Sequence, residues 1–258
     1  MGVLNVTPDS FSDGGRFVAV DLAVEHGLRM VTEGAAIIDI GGESTRPGAA
    51  PVDIDEELRR VIPTVERLRA ATSAVISVDT QKPEVMRAAA AAGAGLINDI
   101  RALVNPSALE AVASTSCAVC LMHMQGEPAT MQVNPTYSDV VSDIKAFLHE
   151  RVQACRSVGI SDDRIAIDPG FGFGKTIAHN LELLRRLPEL SIDGLPVLAG
   201  LSRKSMIAKL LGDPAKDRVH ASVALAVVAA MNGAHIVRVH DVAATVDAMK
   251  IVSAVREQ

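Results

Sequence analysis

Residues 168–176 read DPGFGFGKT, and these glycines followed by a lysine and a threonine have the composition of a phosphate-binding loop. A P-loop requires the pattern G-x-x-x-x-G-K-[ST], in which backbone N–H groups surround the phosphates. Counting back from Gly174, the first glycine of that pattern should stand at position 169, which is Pro169. Proline has no N–H to donate. We therefore expect no nucleotide phosphate here, and we predict that Lys175 lies on the surface.

Polar and charged residues also follow eight short apolar runs along the chain. These residues are Asn5, Asp39, Asp79, Asn98, Asp99, His123, Asp168, Ser202, Arg203, Lys204, Arg238 and His240. The carboxylates among them accept hydrogen bonds, whereas the arginine and lysine side chains donate them. Polar groups gathered away from water need a polar partner. The set therefore predicts a ligand that is polar at one end and anionic at the other.

The apolar runs are predicted to be β-strands with amphipathic helices between them. The predicted strands are residues 3–6, 36–40, 75–79, 95–100, 118–123, 164–168, 196–201 and 235–240. The predicted helices are residues 21–33, 55–70, 83–92, 139–157, 180–187 and 218–231, and a further helix is expected to start with RKSMIAKLL.

Eight strands alternating with helices over about 250 residues are typical of an α/β fold, the (β/α)₈ TIM barrel. We expect residues 1–258 to form it as a single domain. The alternative is an open, doubly wound sheet, which normally has fewer strands and a glycine fingerprint after the first one. This chain has NVTPDSFSDGG at that point, which is not the fingerprint.

The carboxyl ends of all strands meet at one face of a TIM barrel, where active sites form. The polar strand ends are therefore predicted to surround one site. Two long loops should lie over it, TPDSFSDGGRF (7–17) after the first strand and GGESTRPGAAP (41–51) after the second. Loops of this composition over a barrel mouth often close on a substrate.

Composition excludes several classes of protein. The net charge of −6 argues against a nucleic-acid surface, which needs a basic footprint, but leaves room for a small anionic ligand. The first residues do not resemble a signal peptide. The longest apolar run, around residues 219–231, is too short to span a bilayer. We expect a cytoplasmic protein without a membrane partner.

Three cysteines are too few for a disulfide framework. Cys117 and Cys120 form a C-x-x-C motif, but they lie in or beside a predicted strand. Residues three apart in a strand point to opposite faces. We therefore expect buried packing for both thiols rather than a shared metal or a redox pair.

Eight motifs occur in order over residues 1–242 and fall on the predicted strand ends: LNVTPDSFSDGG, IIDIGGESTRPGA, ISVDT, INDI, LMHMQG, DPGFGFGK, GLSRKS and RVHDV. Together they resemble the bacterial dihydropteroate synthase family of pterin-binding enzymes. The resemblance implies a transferase of folate biosynthesis that joins 6-hydroxymethyl-7,8-dihydropterin pyrophosphate to p-aminobenzoate and releases pyrophosphate. It also implies an SN1-like course, Mg²⁺, inhibition by sulfonamides and a homodimer.

The resemblance assigns the site residues by substrate. Pterin-binding residues are Asp79, Asn98, Met122, Asp168, Phe173, Lys204 and Arg238. Pyrophosphate-binding residues are Asn5, Thr45, Arg46, Arg238 and His240, with Asn5 also near Mg²⁺. Aminobenzoate-binding residues are Pro47, Phe173, Ser202 and Arg203. The residues expected to act in catalysis are Asp79, Lys204, Arg238, Asp9 and Asp13, the last two by helping to hold Mg²⁺ and to order the aminobenzoate site.

Several other residues have roles that the sequence leaves open or assigns to the structure of the barrel. Glu43 and His123 are expected either to touch the substrate or to be structural. Asp99 is expected to cap the next helix, and Asp39 to anchor Arg46 or another loop donor. The apolar helix at residues 219–231 suits either a partner-facing surface or packing against the barrel.

Two alternative functions share the barrel. A pterin-binding methyltransferase module would pass a methyl group to a corrinoid partner, but it has little use for STRPG or SRKS. A pterin-binding protein without catalysis would not need Asn5, Arg46, Lys204 and Arg238 together. Family members usually carry a short segment before the first strand, whereas this chain starts within that strand at Met1. We therefore expect a version extended upstream to be more stable.

Overall fold

The computed structural model describes residues 1–7, 15–44, 51–128, 130–213 and 215–256. Its strands are β1 (Gly2–Asn5), β2 (Ile37–Gly41), β3 (Val75–Asp79), β4 (Leu96–Asp99), β5 (Ala118–Met122), β6 (Ile165–Asp168), β7 (Leu198–Ala199) and β8 (Ile236–Val237). Its helices are α1 (Gly15–Thr32), α2 (Ile54–Ala71), α3 (Pro83–Ala91), α4 (Ala108–Ala113), α5 (Val140–Ser157), α6 (Ile177–Arg185), α7 (Ser205–Leu211), α8 (Val219–Met231) and α9 (Val242–Arg256).

The strands run parallel and in chain order around a closed cylinder. β1 to β6 form one sheet, and β7 pairs with β8. Parallel bridges at Ile167–Val197 and Gly2–Val239 join the two sheets on both sides. At the second junction the Val3 N–H donates to the Val239 carbonyl over 2.9 Å. The predicted (β/α)₈ barrel is confirmed, and the open-sheet alternative is wrong.

The predicted strands lie close to the observed ones, but the last two are much shorter than expected. Regular pairing covers only Leu198–Ala199 in β7 and Ile236–Val237 in β8, where the apolar runs predicted six residues each. The motif residues that follow these strands therefore belong to loops. Two helices, α4 and α9, were not predicted, and α4 has only six residues.

Apolar side chains fill two regions of the barrel. A large cluster between the strands and the helices contains the buried Ile38, Ile40 and Val78. A small cluster inside the barrel contains Leu96, Cys120, Ala166 and Leu198. The barrel interior is thus apolar on the side of β4 to β7, whereas the side of β2 and β3 holds the buried polar residues Asp39 and Ser77, the second of which pairs in register with Leu96.

The two cysteines of the C-x-x-C motif belong to different clusters. Cys117 lies in the outer cluster and Cys120 in the inner one, as the alternation of side chains along a strand requires. Burial raises the pKa of both thiols, so both stay protonated and unreactive at neutral pH. The expectation of packing is confirmed.

Helix caps fix where several mouth loops end. Asp53 accepts the Glu56 N–H at the start of α2, and Asp139 accepts the Ser142 N–H at the start of α5, both over 2.7 Å. Thr176 caps α6 by accepting the His179 N–H over 3.1 Å. Threonine is a preferred capping residue because its hydroxyl satisfies a free N–H of the first turn. The threonine of DPGFGFGKT therefore ends a loop and starts a helix.

Candidate active site

Strand register brings the polar strand ends of β1 to β4 to one level of the barrel. Asn5 pairs with Gly41, Gly41 with Asp79, and Asp79 with Asn98. A Cβ built on Gly41 would lie 3.6 Å from the Asn5 Oδ1 atom and 3.8 Å from the Asp79 Cβ atom. Asn5 and Asp79 are therefore close neighbours across a residue that has no side chain.

A fully buried carboxylate, Asp39, lies one step deeper and organises this level. Its Oδ1 accepts the Ser77 hydroxyl over 2.5 Å, and its Oδ2 accepts the Asn98 amide over 3.2 Å and the Arg238 Nε–H over 2.6 Å. These donors stand on strands or directly after one. Within the described part of the chain, Asp39 thus anchors Ser77 of β3 and Asn98 of β4 together with Arg238 of the loop after β8. The prediction that it anchors a loop donor holds for Arg238.

Arg238 connects two carboxylates from neighbouring strands. Besides Asp39, its guanidinium reaches Asp79, with 2.8 Å between Nη2 and Oδ2. Burial raises the pKa of the Asp79 carboxyl, and the Arg238 charge opposes that shift. Burial in turn works against the charge of Arg238, but the two carboxylates outweigh it and raise its pKa. Arg238 and the two carboxylates therefore balance each other's charge at a site with little water.

The side-chain amide of Asn98 has a defined orientation. A carboxylate accepts hydrogen bonds and does not donate them, so the amide nitrogen of Asn98 is the atom that contacts Asp39. The Asn98 Oδ1 atom is consequently turned away from Asp39. It is buried and has no hydrogen-bond partner among the described residues. An acceptor left in this state favours a ligand that donates a hydrogen bond.

A cavity lies at this end of the barrel. It is lined by Asp79, Asn98, Ile100, Met122, Asp168, Phe171, Phe173, Gly200, Lys204 and Arg238. Seven of these residues were predicted from the sequence to bind pterin. Ile100, Phe171 and Gly200 were not, although they lie within the motifs INDI, DPGFGFGK and GLSRKS, and they contribute apolar or backbone surface.

Lys204 and Phe173 form a charged and an aromatic wall of the cavity. The Lys204 Nζ atom lies 4.1 Å from the centroid of the Phe173 ring, a cation–π contact. Burial and then the charge of Arg238 lower the pKa of Lys204 to about 8, although Asp168 and Asp79 oppose that shift. Lys204 is therefore a donor whose charge changes just above neutral pH.

Asp168 closes the deep end of the cavity. It is 5% exposed, and its Oδ1 accepts the Gly170 N–H over 2.7 Å. Burial raises the pKa of this carboxyl, and the Gly170 N–H and the Lys204 charge oppose the shift. The carboxylate is thus held in place by the backbone of its own loop.

Ser202 and His240 meet beside the cavity. The Ser202 hydroxyl accepts the His240 backbone N–H over 3.1 Å and lies 3.1 Å from the His240 Nδ1 atom. Arg203 between Ser202 and Lys204 has a left-handed φ of 57°, and its half-exposed guanidinium pairs with Asp241. The structure thus brings Ser202 and His240 together, although the sequence assigned them to different substrates.

Five predicted site residues lie outside the described residues: Asp9, Asp13, Thr45, Arg46 and Pro47. The base of the loop that carries the last three is described. There the Lys82 ammonium contacts Glu43 over 2.6 Å and also contacts the buried Glu57. Glu43 also accepts the Val52 N–H over 3.3 Å. These bonds support the structural interpretation of Glu43.

The prediction that Lys175 lies on the surface is wrong. Its side chain is 3% exposed, and its Nζ donates to the carbonyls of Gly170 and Phe173, both over 2.9 Å. It also lies 3.1 Å from the Nδ1 atom of His123. The glycine-rich loop folds back on its own lysine, and no spacing rule in the sequence predicts this. His123, which touches Lys175 and the Phe147 ring, has the structural role among its two interpretations.

The prediction that Asp99 caps the next helix is also wrong. Its carboxylate accepts the N–H groups of Arg101 and Leu103, both over 2.8 Å, whereas α4 begins only at Ala108. Ala102 and Leu103 have φ values of 50° and 59°, a conformation that side chains disfavour. Asp99 therefore stabilises a strained turn directly after the strand that carries Asn98.

The side-chain clusters and helices of the described part of the chain bear on metal binding and on membrane spanning. In that part, no three His, Cys, Asp or Glu side chains cluster in a way that could hold a metal ion. No helix in the described ranges combines the length and apolar character needed to cross a bilayer.

The barrel and the cavity at its polar mouth are features that a class of proteins shares. Residues 1–240 match the family described as pterin binding enzyme. Since this match covers most of the chain, the protein belongs to the pterin binding enzyme family.

Individual relatives narrow the comparison. The chain is 55% identical over 254 residues to the dihydropteroate synthase of Escherichia coli strain K12, covering 98% of this chain and 90% of that protein. The Yersinia pestis dihydropteroate synthase, solved with a sulfonamide drug complex, superposes with a TM-score of 0.95 at 55% identity, covering 100% of this chain and 94% of that one. The Burkholderia cenocepacia dihydropteroate synthase complexed with 7,8-dihydropteroate gives 0.90 at 53% identity, covering 100% and 91%.

Proposed function

We propose that the chain is a dihydropteroate synthase that acts as one domain over residues 1–258. It joins 6-hydroxymethyl-7,8-dihydropterin pyrophosphate to p-aminobenzoate and releases pyrophosphate. The observation that carries this proposal is a single cavity lined both by the acceptors Asp79, Asn98 and Asp168 and by the cations Lys204 and Arg238. A dihydropterin offers N–H donors on one edge, a carbonyl oxygen and ring nitrogens elsewhere, and a pyrophosphate tail. It therefore matches both sets of groups.

The pterin ring is held through its donors. Asn98 Oδ1 is a buried acceptor without a partner among the described residues, and leaving it so costs about 1–3 kcal/mol. A ring N–H removes that cost. Asp168 accepts from the ring's amino group, and Lys204 donates to the ring oxygen or N5. Phe173 and Met122 close the apolar sides of the ring.

The pyrophosphate lies toward the mouth, against Arg238, His240, Asn5, Arg46 and Thr45. An arginine fork matches phosphate oxygens in geometry and charge. Mg²⁺ commonly takes one or two protein oxygens together with substrate phosphates and water. The amide oxygen of Asn5 suits that role, since only substrate and water need complete the set. When bound, the ion neutralises charge on the phosphate oxygens.

The aminobenzoate lies beside Ser202, with Phe173 and Pro47 as apolar walls and Arg203 at the rim. Ser202 is buried and stands three residues after the end of β7. Its hydroxyl is the donor offered to the carboxylate, since the neighbouring Arg203 N–H already donates to Ser222. The hydrogen bond between Ser202 and His240 joins this subsite to the pyrophosphate subsite. Sulfonamides, which imitate aminobenzoate, are expected to compete here.

The reaction follows an SN1-like course. Arg238 and Lys204 stabilise the departing pyrophosphate by positive charge, and the carboxylate of Asp79 stabilises the pterin methylene cation that remains. The aniline nitrogen of aminobenzoate then attacks that carbon. Residues Asp9 and Asp13, on the first mouth loop, order the second substrate. A strong general base is not needed, because the aniline nitrogen is already nucleophilic.

The protein is also proposed to form a homodimer through α8 and α9. Val228 and Met231 of α8 are 43% and 50% exposed, and Ile251 and Val255 of α9 are 67% and 62% exposed. Large apolar side chains grouped on one surface favour association with a partner. Light scattering of the purified chain measures the mass directly, and a monomer at micromolar concentration would remove this part of the proposal.

Pyrophosphate release measured with both substrates, and then with aminobenzoate omitted, tests the function. We expect 7,8-dihydropteroate and pyrophosphate in equal amounts when both are present. Binding of the pterin substrate without any aminobenzoate-dependent product would favour a binding protein without catalysis. Methyl transfer from a methylated pterin to a corrinoid acceptor, with no dihydropteroate formed, would favour the methyltransferase module.

A further inference from the structure

The buried lysine of DPGFGFGKT has a role that neither the phosphate-loop pattern nor a surface position explains. The Lys175 Nζ atom is surrounded by four acceptors: the carbonyls of Gly170 and Phe173 at 2.9 Å, the His123 Nδ1 atom at 3.1 Å and, farther away, the His123 carbonyl at 3.5 Å. A lysine ammonium has three N–H donors and no acceptor. The three nearest acceptors therefore match its three donors, and burial keeps the side chain away from a substrate phosphate.

The arrangement suits an ammonium at Lys175. An ammonium has a proton for each of the three nearest acceptors, whereas a neutral amine has only two protons to give. Toward an ammonium the His123 Nδ1 atom accepts, and the ring is then neutral with its proton on Nε2. Burial and the Lys175 charge lower the pKa of His123 to about 3, which agrees with a neutral ring. Burial lowers the pKa of Lys175 to about 7, and the charge of Asp168 opposes that shift.

Lys175 grips a loop whose backbone has little freedom. Gly170, Gly172 and Gly174 have φ values of 68°, 80° and 60°, which favour glycine. A Cβ on Gly170 would overlap the His123 carbonyl. Two further carbonyls of the loop are also bonded, Gly172 by Gln132 over 2.6 Å and Gly174 by the hydroxyl of Tyr137 over 2.7 Å.

The two carbonyls that Lys175 holds lie on either side of the residues that line the cavity. Phe171 lies between them and Phe173 carries the second, and both line the cavity. Asp168, two residues before Gly170, is fixed by the Gly170 N–H. The peptide that orients the carboxylate and the ring that contacts Lys204 are therefore tied to one ammonium.

We propose that Lys175 is a positioning residue of the pterin site. Its ammonium fixes the loop that presents Asp168 and Phe173 to the ring, and its charge favours the ionised form of Asp168 from below the cavity. The proposal rests on the proposed function only in naming the ligand as a pterin. It assigns no contact between Lys175 and either substrate.

The test replaces Lys175 by methionine, which keeps the length of the chain but removes the charge and the donors. Lys250→Met, a surface lysine that is 71% exposed, is the matched control. We expect Lys175→Met to weaken binding of a pterin, measured by calorimetry with 6-hydroxymethylpterin, by about 10²-fold. The KM for aminobenzoate should change less, by about threefold, because this loop supplies Phe173 to that subsite whereas Ser202 belongs to a different loop.

The pH profile separates positioning from general loss of stability. Without the Lys175 charge the pKa of Asp168 rises, so the acid limb of pterin binding should move to higher pH. If the midpoint of the acid limb is the same in Lys175→Met as in the wild type, the proposed effect of the Lys175 charge on Asp168 is wrong. Equal weakening of both substrates, in step with the loss of thermal stability, would overturn the positioning role altogether.

A second variant covers the case in which Lys175→Met does not fold. His123→Leu keeps the charge of Lys175 but removes one side-chain acceptor from its ammonium. His123→Asn offers that ammonium an amide oxygen instead. We expect weaker pterin binding in the first and partial recovery in the second, and equal binding by both would contradict the proposal. If the wild type binds pterin and these variants weaken that binding, but no dihydropteroate forms, the proposed function fails and this inference stands.

Discussion

The part of the barrel built from β1 to β6 and the part built from β7 and β8 bring opposite groups to the same cavity. The first part, here called the acceptor side, supplies Asp39, Asp79, Asn98 and Asp168 from strands of four or five residues. The second, the donor side, supplies Lys204 and Arg238 from residues that follow strands of only two residues.

The comparison teaches how each side obtains its geometry. Side chains of the acceptor side are placed by strand register, as the pairing of Asp79 with Asn98 illustrates. Those of the donor side are placed by what they bind, since Arg238 is held by two carboxylates and Lys204 stands over Phe173. The donor side should therefore take its geometry from the acceptor side, although the charges of Asp39 and Asp79 are balanced by Arg238.

The largest expected effect comes from breaking the connection between the two sides. Arg238→Met leaves Asp39 and Asp79 without their cation, which should destabilise the fold by about 3–5 kcal/mol. Turnover should fall by at least about 10³-fold, because the departing pyrophosphate loses its main donor. Urea unfolding and pyrophosphate release measure the two effects.

A double substitution checks the reason for that loss. Arg238→Met combined with Asp39→Asn removes one of the two unpaired charges, so stability should recover in part while activity stays low. Arg238→Lys should keep more stability than Arg238→Met, but one ammonium cannot reproduce the two-pronged contact. An Arg238→Met variant as stable as wild type would mean that the carboxylates do not depend on this cation.

The next effect lies on the acceptor side alone. Asp168→Asn keeps an oxygen that can accept the Gly170 N–H, so stability should change by less than about 1 kcal/mol. The ring's amino group loses its charged acceptor, and pterin affinity should fall by about 10- to 100-fold. Calorimetric binding measures this, with Asp247→Asn, a 79% exposed carboxylate, as the control. A fall in stability comparable to that of Arg238→Met would contradict the independence of the acceptor side.

A pH profile probes both sides at once. Lys204, with a pKa lowered to about 8, should lose its proton above that pH, so kcat/KM for the pterin substrate should fall on the alkaline side. The midpoint of the acid limb should lie above the ordinary pKa range of a carboxyl group, because burial raises the pKa of Asp79. Lys204→Arg keeps its charge at high pH, so the fall near pH 8 should disappear even if the rate is lower, whereas a fall near pH 7 would belong to Lys175, whose pKa is lowered to about 7.

Stability should change with the opposite sign on the alkaline side. The unfolded chain keeps the Lys204 proton up to the ordinary pKa of 10.5, whereas the folded chain releases it near 8. Between these values the unfolded state binds more protons, so the contribution of this group to stability rises with pH. Lys175, with a pKa lowered to about 7, contributes a slope of the same sign, so Lys204→Met should reduce the slope above pH 8 without removing it.

The sequence was sufficient for the barrel and for much of the cavity. Strands of a buried parallel sheet form continuous apolar runs, and the residue that ends each run faces the barrel mouth. Asp79, Asn98, Asp168 and Arg238 were found by this rule. They now line one cavity, and their roles toward the substrates stay predictions.

The features that the sequence did not predict depend on contacts that no spacing rule describes, some within one loop and others between distant segments. Lys175 is buried only because carbonyls of its own loop and His123 converge on it. Asp99 was assigned to a helix, but the N–H groups of a left-handed turn reach it first. The partners of Arg238 are 159 and 199 residues away in the chain. Local patterns carry no information about such partners.

The smallest expected effect concerns the rim of the donor side, at Arg203. Its guanidinium is half exposed and pairs with Asp241, and such a pair contributes at most about 1 kcal/mol. The KM for aminobenzoate should therefore rise by no more than about fivefold in Arg203→Ala, with kcat unchanged. Steady-state kinetics with saturating pterin substrate measures this.

Comparing alanine with glycine at this position separates the side chain from the backbone. Residue 203 has a left-handed φ of 57°, and its N–H and carbonyl are held by Ser222 and Arg218, both over 3.0 Å. Glycine adopts this conformation freely, so Arg203→Gly should be more stable than Arg203→Ala by about 1 kcal/mol. If both variants raise KM equally, the guanidinium contributes to aminobenzoate binding. If only Arg203→Ala raises it, the turn that carries Ser202 and Lys204 is what matters, and the donor side is set by its backbone here.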